Sequence, residues 1–440
     1  MTPALIPLHG IGGRQDLPVP FEIVVVGAML AVLASFVVLS LTWRTTRSTG
    51  RGTVALPGLT RLVDSAAVRW TVRVLGLAAG GWAAWALLGG ADNLTNPIFG
   101  FVYVWVWIGL VPLSLLLGRV WPLLNPLRTL HLLVCRALRI DPDDGAFDLP
   151  PGVGVCPAVA GLFGFVYLEL VAPDRTTIHM LLLDAALYIA VLTCGSVLFG
   201  RRWFAAADPF EVYATFMAHL SVWGRNGAGV LTASSPLVNL SRLVPPHGTV
   251  AFVTVLIGST AFDGLSNSTA WIGWVQAQPT RPIVAASITL VALVALTAAT
   301  FVVASRAGGL LVRRPLAGEP RLFVHALLPI ALGYVTAHYL TLFVFEGQRT
   351  LALWSDPLSR GWDVFGTATL DVSYALAAYP ALIATAQAGA VVVGHIGGIV
   401  AAHDRAVEVS PTGRAAASQG PMVAVMIGYT GLALLLLFAE

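Results

Sequence analysis

The strongest constraint on this chain is a series of apolar runs, each long enough to cross a lipid bilayer as a helix. A helix rises about 1.5 Å per residue, so about 20 residues cross a hydrocarbon core of roughly 30 Å. By that measure spans are expected near 21–43, 72–91, 99–118, 152–172, 180–199, 248–262, 283–305, 322–344, 375–402 and 420–438. The sixth is short. Its apolar run stops at Asp263-Gly264, and Ser266, Asn267 and Ser268 follow, which predicts a break in the helix there. Composition closes off a soluble alternative. Only 11% of the residues are charged and 57% are hydrophobic, against about 25% charged in a soluble chain. The expected fold is all-α: a polytopic transmembrane helical bundle of about ten spans, one transmembrane domain over 1–440, with one or two interfacial amphipathic helices.

Arginine sets the expected orientation. All 25 basic residues are Arg, and 19 of them fall in the alternate loops 44–71, 119–151, 200–247, 306–321 and 403–419. Cytoplasmic loops carry such an excess, so these loops are read as inside and both termini as extracytoplasmic. Arg14 is the sole basic residue among the first 19, which is not the basic start of a cleaved signal; the first span is expected to stay. The chain is therefore placed in the plasma membrane as a multi-pass protein. Its expected partner is the lipid bilayer, with a hydrophobic small molecule as a further candidate; the sequence leaves protein partners open, a structural subunit role among them. A net charge of +3 without a basic patch interleaved with aromatics excludes nucleic acid. Cys135, Cys156 and Cys194 lie far apart with no metal or redox spacing and read as apolar filler.

The first half carries an echo. Gly118-Arg119-Val120-Trp121 leads to Asn125-Pro126, and Gly200-Arg201-Arg202-Trp203 leads to Asp208-Pro209. Asn or Asp as N-cap with Pro at the first helical position is a helix-start signal. Both copies follow a span running in the same direction, so the repeat is parallel. Asp208 and Glu211 also have capping-box spacing. After Asn125, the residues Arg128, His131, Arg136 and Arg139 share an arc of about 140° at about 100° per residue, while Leu127, Leu130, Leu133 and Val134 face elsewhere. That pattern predicts an amphipathic helix in the inner interface. The segment 57–70 is a second candidate.

An ionisable group inside a span costs about 2.5–3.5 kcal/mol on insertion scales, so such residues point to function. They are Glu169, Asp184, Asp263, His325, His338 and His395. The orientation sorts them by depth. Glu169, Asp184, Asp263 and His338, with Glu346 just beyond, fall on the outer side, together with His9 and Asp16 of the N-terminal segment. Glu169, Asp184 and Glu346 are read as interfacial groups touching water. Imidazole and carboxylate together can ligate a divalent metal or act as an acid–base pair. The expected site is an outer polar cavity: Asp263 and His338 catalytic, with His9, Asp16, Asp263 and His338 as metal ligands.

His325 and His395 form an inner group, offered as a cofactor site for haem. Gly394, Gly397 and Gly398 around His395 allow close helix packing or room for a bulky ligand. His325 and His338 are about 20 Å apart along one helix and cannot share a metal. His403, beside Asp404 and Arg405, reads as a solvated interfacial cluster. Gly264-Leu265-Ser266-Asn267-Ser268 only approximates a nucleophile elbow, lacking its last Gly and a preceding strand.

Four stretches carry a family likeness together: His9-Gly-Ile-Gly-Gly-Arg-Gln-Asp16-Leu-Pro, Ser259-Thr-Ala-Phe-Asp263-Gly-Leu-Ser, the run from His325 to Gln348 with His338-Tyr339, and Gly394-His395-Ile-Gly-Gly through Ala402-His403-Asp404-Arg405. The chain resembles, over nearly its whole length, multi-span actinobacterial membrane proteins labelled fenitrothion hydrolase-like. That resemblance implies hydrolysis of an organophosphate ester and carries no residue assignments with it. Two other readings stand beside an ester hydrolase: a transporter or permease using the same polar residues, and a haem- or copper-binding redox subunit using His325 and His395.

Overall fold

The computed structural model describes residues 13–46, 52–277 and 282–439. His9, one of the expected metal ligands, lies outside them. Eight described helices are long and apolar enough to cross a membrane: α1 (Phe21–Thr42), α2 (Ala66–Gly89), α3 (Ile178–Phe199), α4 (Thr249–Ser266), α5 (Pro282–Leu311), α6 (Pro320–Leu353), α7 (Pro380–Val409) and α8 (Ala415–Leu437). This is a helical, multi-pass membrane protein. The third expected span is a broken one, Pro97–Val106 and Leu110–Leu117 bent by 45°. A π-helical turn over Phe101–Val106 leads into that bend, which is a recognised cause of kinks. The fourth is a helix of 15 residues, Cys156–Leu170, below the crossing length.

Two expectations change. The sixth span does not break at Asp263; α4 runs on through Gly264 to Ser266, and the chain turns at Asn267 before a short helix over Thr269–Gln276. A carboxylate inside a span needs partners rather than a break, and Asp263 has them (below). The fold is also not purely helical. β1 (Val54–Ala55), β2 (Trp223–Arg225) and β3 (Leu231–Ala233) form an antiparallel sheet in the order β1-β3-β2. Strands this short carry no hydrophobic alternation to read.

Cα packing divides the chain into two compact units. Unit one comprises 1–46, 256–352 and 369–440, and unit two 47–255 and 353–368. No composition shift marks the division. In unit one, α4 and α6 are the central helices: 67% of each apolar window is buried, against 11% for α1 and 17% for α5. α6 and α7 approach closely through glycine. A Cβ added at Gly394 would lie 2.6 Å from the Pro329 carbonyl, and one at Gly398 would lie 2.7 Å from that of Ala326. The glycines beside His395 thus serve helix packing and leave no room for a macrocycle.

In unit two, the loops 44–71 and 200–247 meet in the sheet, and Arg201 pairs with Asp143 of the loop 119–151 at 2.5 Å. These three loops were all assigned to one side by their arginines, and here they lie together. The amphipathic helix forms over Pro126–Leu138. Its leucines Leu130 and Leu133 and Val134 are exposed, as lipid-facing groups should be; of its polar arc, Arg128 and His131 turn toward protein, bonding Glu211 and the Pro142 carbonyl, while Arg136 and Arg139 are exposed. The second candidate, 57–70, is split: a helix over Pro57–Val63 ends at Asp64, and α2 begins at Ala66. Cys135, Cys156 and Cys194 are free thiols.

Candidate functional site

Two buried polar constellations stand out, one in each unit. The first is centred on Asp263 of α4. His338 Nε2 donates to Asp263 Oδ2 at 2.8 Å, the Tyr339 hydroxyl donates to the same oxygen at 2.8 Å, and Asn267 Nδ2 donates to Oδ1 at 3.1 Å. The carboxylate therefore accepts three side-chain hydrogen bonds, with the His338 and Asp263 side chains only 8% and 11% exposed. Helical geometry explains the set. Tyr334 and His338 are four residues apart on α6 and share a face, and their rings stack at 5.9 Å and 7°. Tyr339, one residue on, reaches the carboxylate from the side. Gly264 gives the space: a Cβ there would lie 2.7 Å from the Tyr334 hydroxyl.

Beside this cluster is a cavity of about 60 Å³ lined mainly by apolar side chains of α4, α5, α6 and α8, with Thr297, Tyr334, Tyr429 and His395 as its polar members. Leu296 and Leu432 of its lining are exposed, on helices apolar enough to face lipid. His395 Nδ1 donates to the Val391 carbonyl at 2.8 Å, which leaves Nε2 as an acceptor. Among the described residues, neither that Nε2 nor the Tyr334 hydroxyl has a hydrogen-bond partner, although both atoms are buried. Buried polar atoms are satisfied in more than nine cases of ten, so an orphaned donor and an orphaned acceptor on one cavity wall mark a place built for something else.

The remaining expected residues go elsewhere. Asp16 closes its own turn, accepting from Gly13 N at 2.8 Å, beside Arg14, which stacks over Phe21. Among the described residues no three of His, Cys, Asp and Glu are grouped to hold a metal. Asp263 and His338 supply two donors where a catalytic zinc takes three. His325 hydrogen-bonds the backbone at Leu322 and Ala401 and is buried, so it is a packing residue between α6 and α7 rather than half of a haem site. His403 is not solvated. It is 2% exposed and ties α7 to the end of α1 and to α8, bonding the Trp43 carbonyl at 3.1 Å and Gln419 at 3.0 Å.

The second constellation, absent from the sequence reading, joins the two copies of the repeat. Gly118 and Gly200 adopt matching left-handed conformations (φ 70° and 68°), each ending a span before a short helix and a capped one. Asn125 caps through Arg128 N and Asp208 through Phe210 N. The caps then bond each other, Asn125 Nδ2 to Asp208 Oδ2 at 2.7 Å. Three residues beyond each cap, Arg128 donates to both oxygens of Glu211 at 2.7 and 2.6 Å. Glu211 thus turns to Arg128 instead of closing a capping box. Trp121 and Tyr188 complete the shell of Asp208 at 2.8 and 3.1 Å. Burial, and then the charge of Glu211, push the Asp208 carboxyl up to about 6. The sequence signal was present in the equal spacing from cap to charged residue in both copies; reading it required knowing that the copies touch.

Comparison with protein-family models, curated proteins and solved structures returned no match.

Proposed function

We propose that unit one is an intramembrane acid–base site that hydrolyses an apolar ester entering from the lipid. In this reading about ten spans cross the plasma membrane with both termini outside, and the site lies toward the extracytoplasmic face. The observation that carries it is the buried Asp263–His338–Tyr339 constellation beside an apolar cavity. The Asp263–His338 pair takes a proton from water; the water oxygen bonds to the acyl or phosphoryl centre; the leaving oxygen departs with the proton the pair returns. Asp263 offsets the imidazolium charge formed on the way. In this reading the Tyr334 hydroxyl, without a hydrogen-bond partner among the described residues, donates to the developing oxyanion. No step is routed through a metal: among the described residues Asp263 and His338 are two donors, and no third His, Cys, Asp or Glu joins them. The arginine distribution supports the orientation, and the resemblance to fenitrothion hydrolase-like proteins supports the ester class.

The test is hydrolysis of a chromogenic phosphotriester and a carboxylic ester by purified protein in detergent. Asp263→Ala and His338→Ala should each lower the rate about 100-fold or more, with the protein still eluting as one species. Unchanged rates in both variants sink the hydrolase reading. A second reading, a transporter, is favoured by the parallel repeat of unit two, since internal repeats are a transporter signature. Proton-coupled uptake into proteoliposomes, lost in Asp263→Asn, separates it from the first.

A further inference from the structure

Unit two contains a basin of about 590 Å³, within the roughly 300–1,000 Å³ of small-ligand sites. Its wall comes from three chain segments: the start of α2, the end of the broken span at Gly118-Arg119, and the stretch from Thr215 through β2 and β3 to Arg242. Four guanidinium groups line it, those of Arg69, Arg119, Arg225 and Arg242, against one lining carboxylate, Asp64. Asp64 is held by Arg225 in a two-pronged pair at 2.8 and 2.7 Å. Arg119 has only a distant share of Glu211, at 3.5 Å, because Arg128 takes both oxygens of that carboxylate. Among the described residues Arg69 and Arg242 form no ion pair, and Arg242 makes only long hydrogen bonds to Asn239 and Thr53, at 3.4 and 3.3 Å. Among the described residues the basin thus has four guanidinium groups against the carboxylate of Asp64, which Arg69 also acts on at longer range, and a share of Glu211.

Thr215 lines the basin among apolar neighbours, and its hydroxyl oxygen is buried without a hydrogen-bond partner among the described residues. His219, one turn further, donates from Nδ1 to the Thr215 carbonyl at 2.8 Å. Burial, and less strongly the Arg119 charge, hold its imidazole below the ordinary range, so it adds no positive charge and presents Nε2 as an acceptor. The position also matters. Arg69 is in the first turn of α2 and Arg119 directly follows the end of a span, so the guanidinium groups sit where helices leave the apolar core.

We propose that this basin binds the phosphate group of an anionic ligand, held by Arg69 and Arg242 with Arg119 flanking and the Thr215 hydroxyl donating from below. Guanidinium groups match phosphate oxygens with paired N–H donors, and partial enclosure strengthens each contact over its value in open water. The basin belongs to unit two, and the proposal is independent of the chemistry assigned to Asp263.

Two sources of phosphate can reach the ends of spans, a lipid headgroup and a soluble phosphorylated molecule, and the experiment separates them. The full chain is placed in phosphatidylcholine nanodiscs, and its unfolding temperature is followed as inorganic phosphate replaces chloride at matched ionic strength. A parallel preparation carries phosphatidic acid in the disc, with retained lipid read by native mass spectrometry. Stabilisation by phosphate identifies a soluble ligand; stabilisation or retention only with phosphatidic acid identifies a headgroup. In either arm the doubly substituted R69A/R242A protein should lose at least about tenfold in apparent affinity, as expected for removing charge-assisted hydrogen bonds. Its unfolding temperature without ligand should match wild type, since among the described residues neither arginine holds an ion pair. Arg242→Gln alone, with the same expected direction, serves if the double variant does not fold. A response in neither arm, or a variant that responds as wild type does, overturns the proposal.

Discussion

Asp208 and Asp263 are both buried carboxylates in an apolar chain, and their surroundings differ in one respect. Around Asp208 the groups answer one another: Asn125, Trp121 and Tyr188 donate to it, and Arg128 meets Glu211 beside it. Around Asp263 the inner ring is equally well bonded, but Tyr334 and His395, which line the adjoining cavity, each keep a buried polar atom without a hydrogen-bond partner among the described residues. Desolvating a polar group costs free energy that only a partner returns. A closed network therefore reads as structure, joining two halves of a repeat. An open one retains unused hydrogen-bonding capacity and reads as a site.

Glu211→Ala leaves Arg128 in a mostly buried position without its counter-charge and should destabilise the protein by about 3–5 kcal/mol. Thermal unfolding in detergent measures this, and an Arg128→Met/Glu211→Met protein should recover most of the loss. A destabilisation confined to Asp263→Ala, with Glu211→Ala tolerated, would invert the roles assigned to the two units.

The same network should show in pH dependence. Burial and Glu211 raise the folded carboxyl of Asp208 to about 6 from an ordinary value near 3.8, so the folded state keeps a proton that the unfolded chain loses. This group's contribution to stability is then greatest below the ordinary value, falls as pH rises toward about 6, and is flat above. Unfolding temperature across that range should decline in wild type, and Asp208→Asn should remove this part of the slope.

In unit one the effects should fall on activity. Tyr339→Phe removes one of three donors to Asp263 and should lower turnover about tenfold, a typical worth for a hydrogen bond to a charged group, with little change in unfolding temperature. The smallest expected change is the most diagnostic. His395→Leu removes a buried Nε2 that has no hydrogen-bond partner among the described residues together with the Nδ1 bond to the Val391 carbonyl, so the two changes offset and stability should shift by less than about 1 kcal/mol. A loss above about 2 kcal/mol would mean that Nε2 is satisfied in the folded protein and that the cavity reading is wrong.

Much of the architecture was readable from residue order, because the bilayer imposes a length and an apolar character on every crossing helix. Eight spans, the amphipathic helix at Pro126–Leu138 and the capped starts at Asn125 and Asp208 follow from local pattern alone. So did the pairing of Asp263 with His338 as candidates, since an ionisable group within a span is costly enough to be noticed one residue at a time.

Tertiary structure decided whatever depended on a partner distant in sequence. It carried α4 unbroken past Asp263, because His338 and Tyr339 from α6 satisfy a carboxylate that local reading could only treat as a break. It turned the glycines around His395 to helix packing, spent His325 and His403 on backbone groups and neighbouring helices, and drew four loop arginines around one basin. Apolar patterning acts through the residue and its solvent, and is written in order along the chain. Hydrogen bonds and charge pairs act over a few ångströms between helices, and only packing sets which residues come that close.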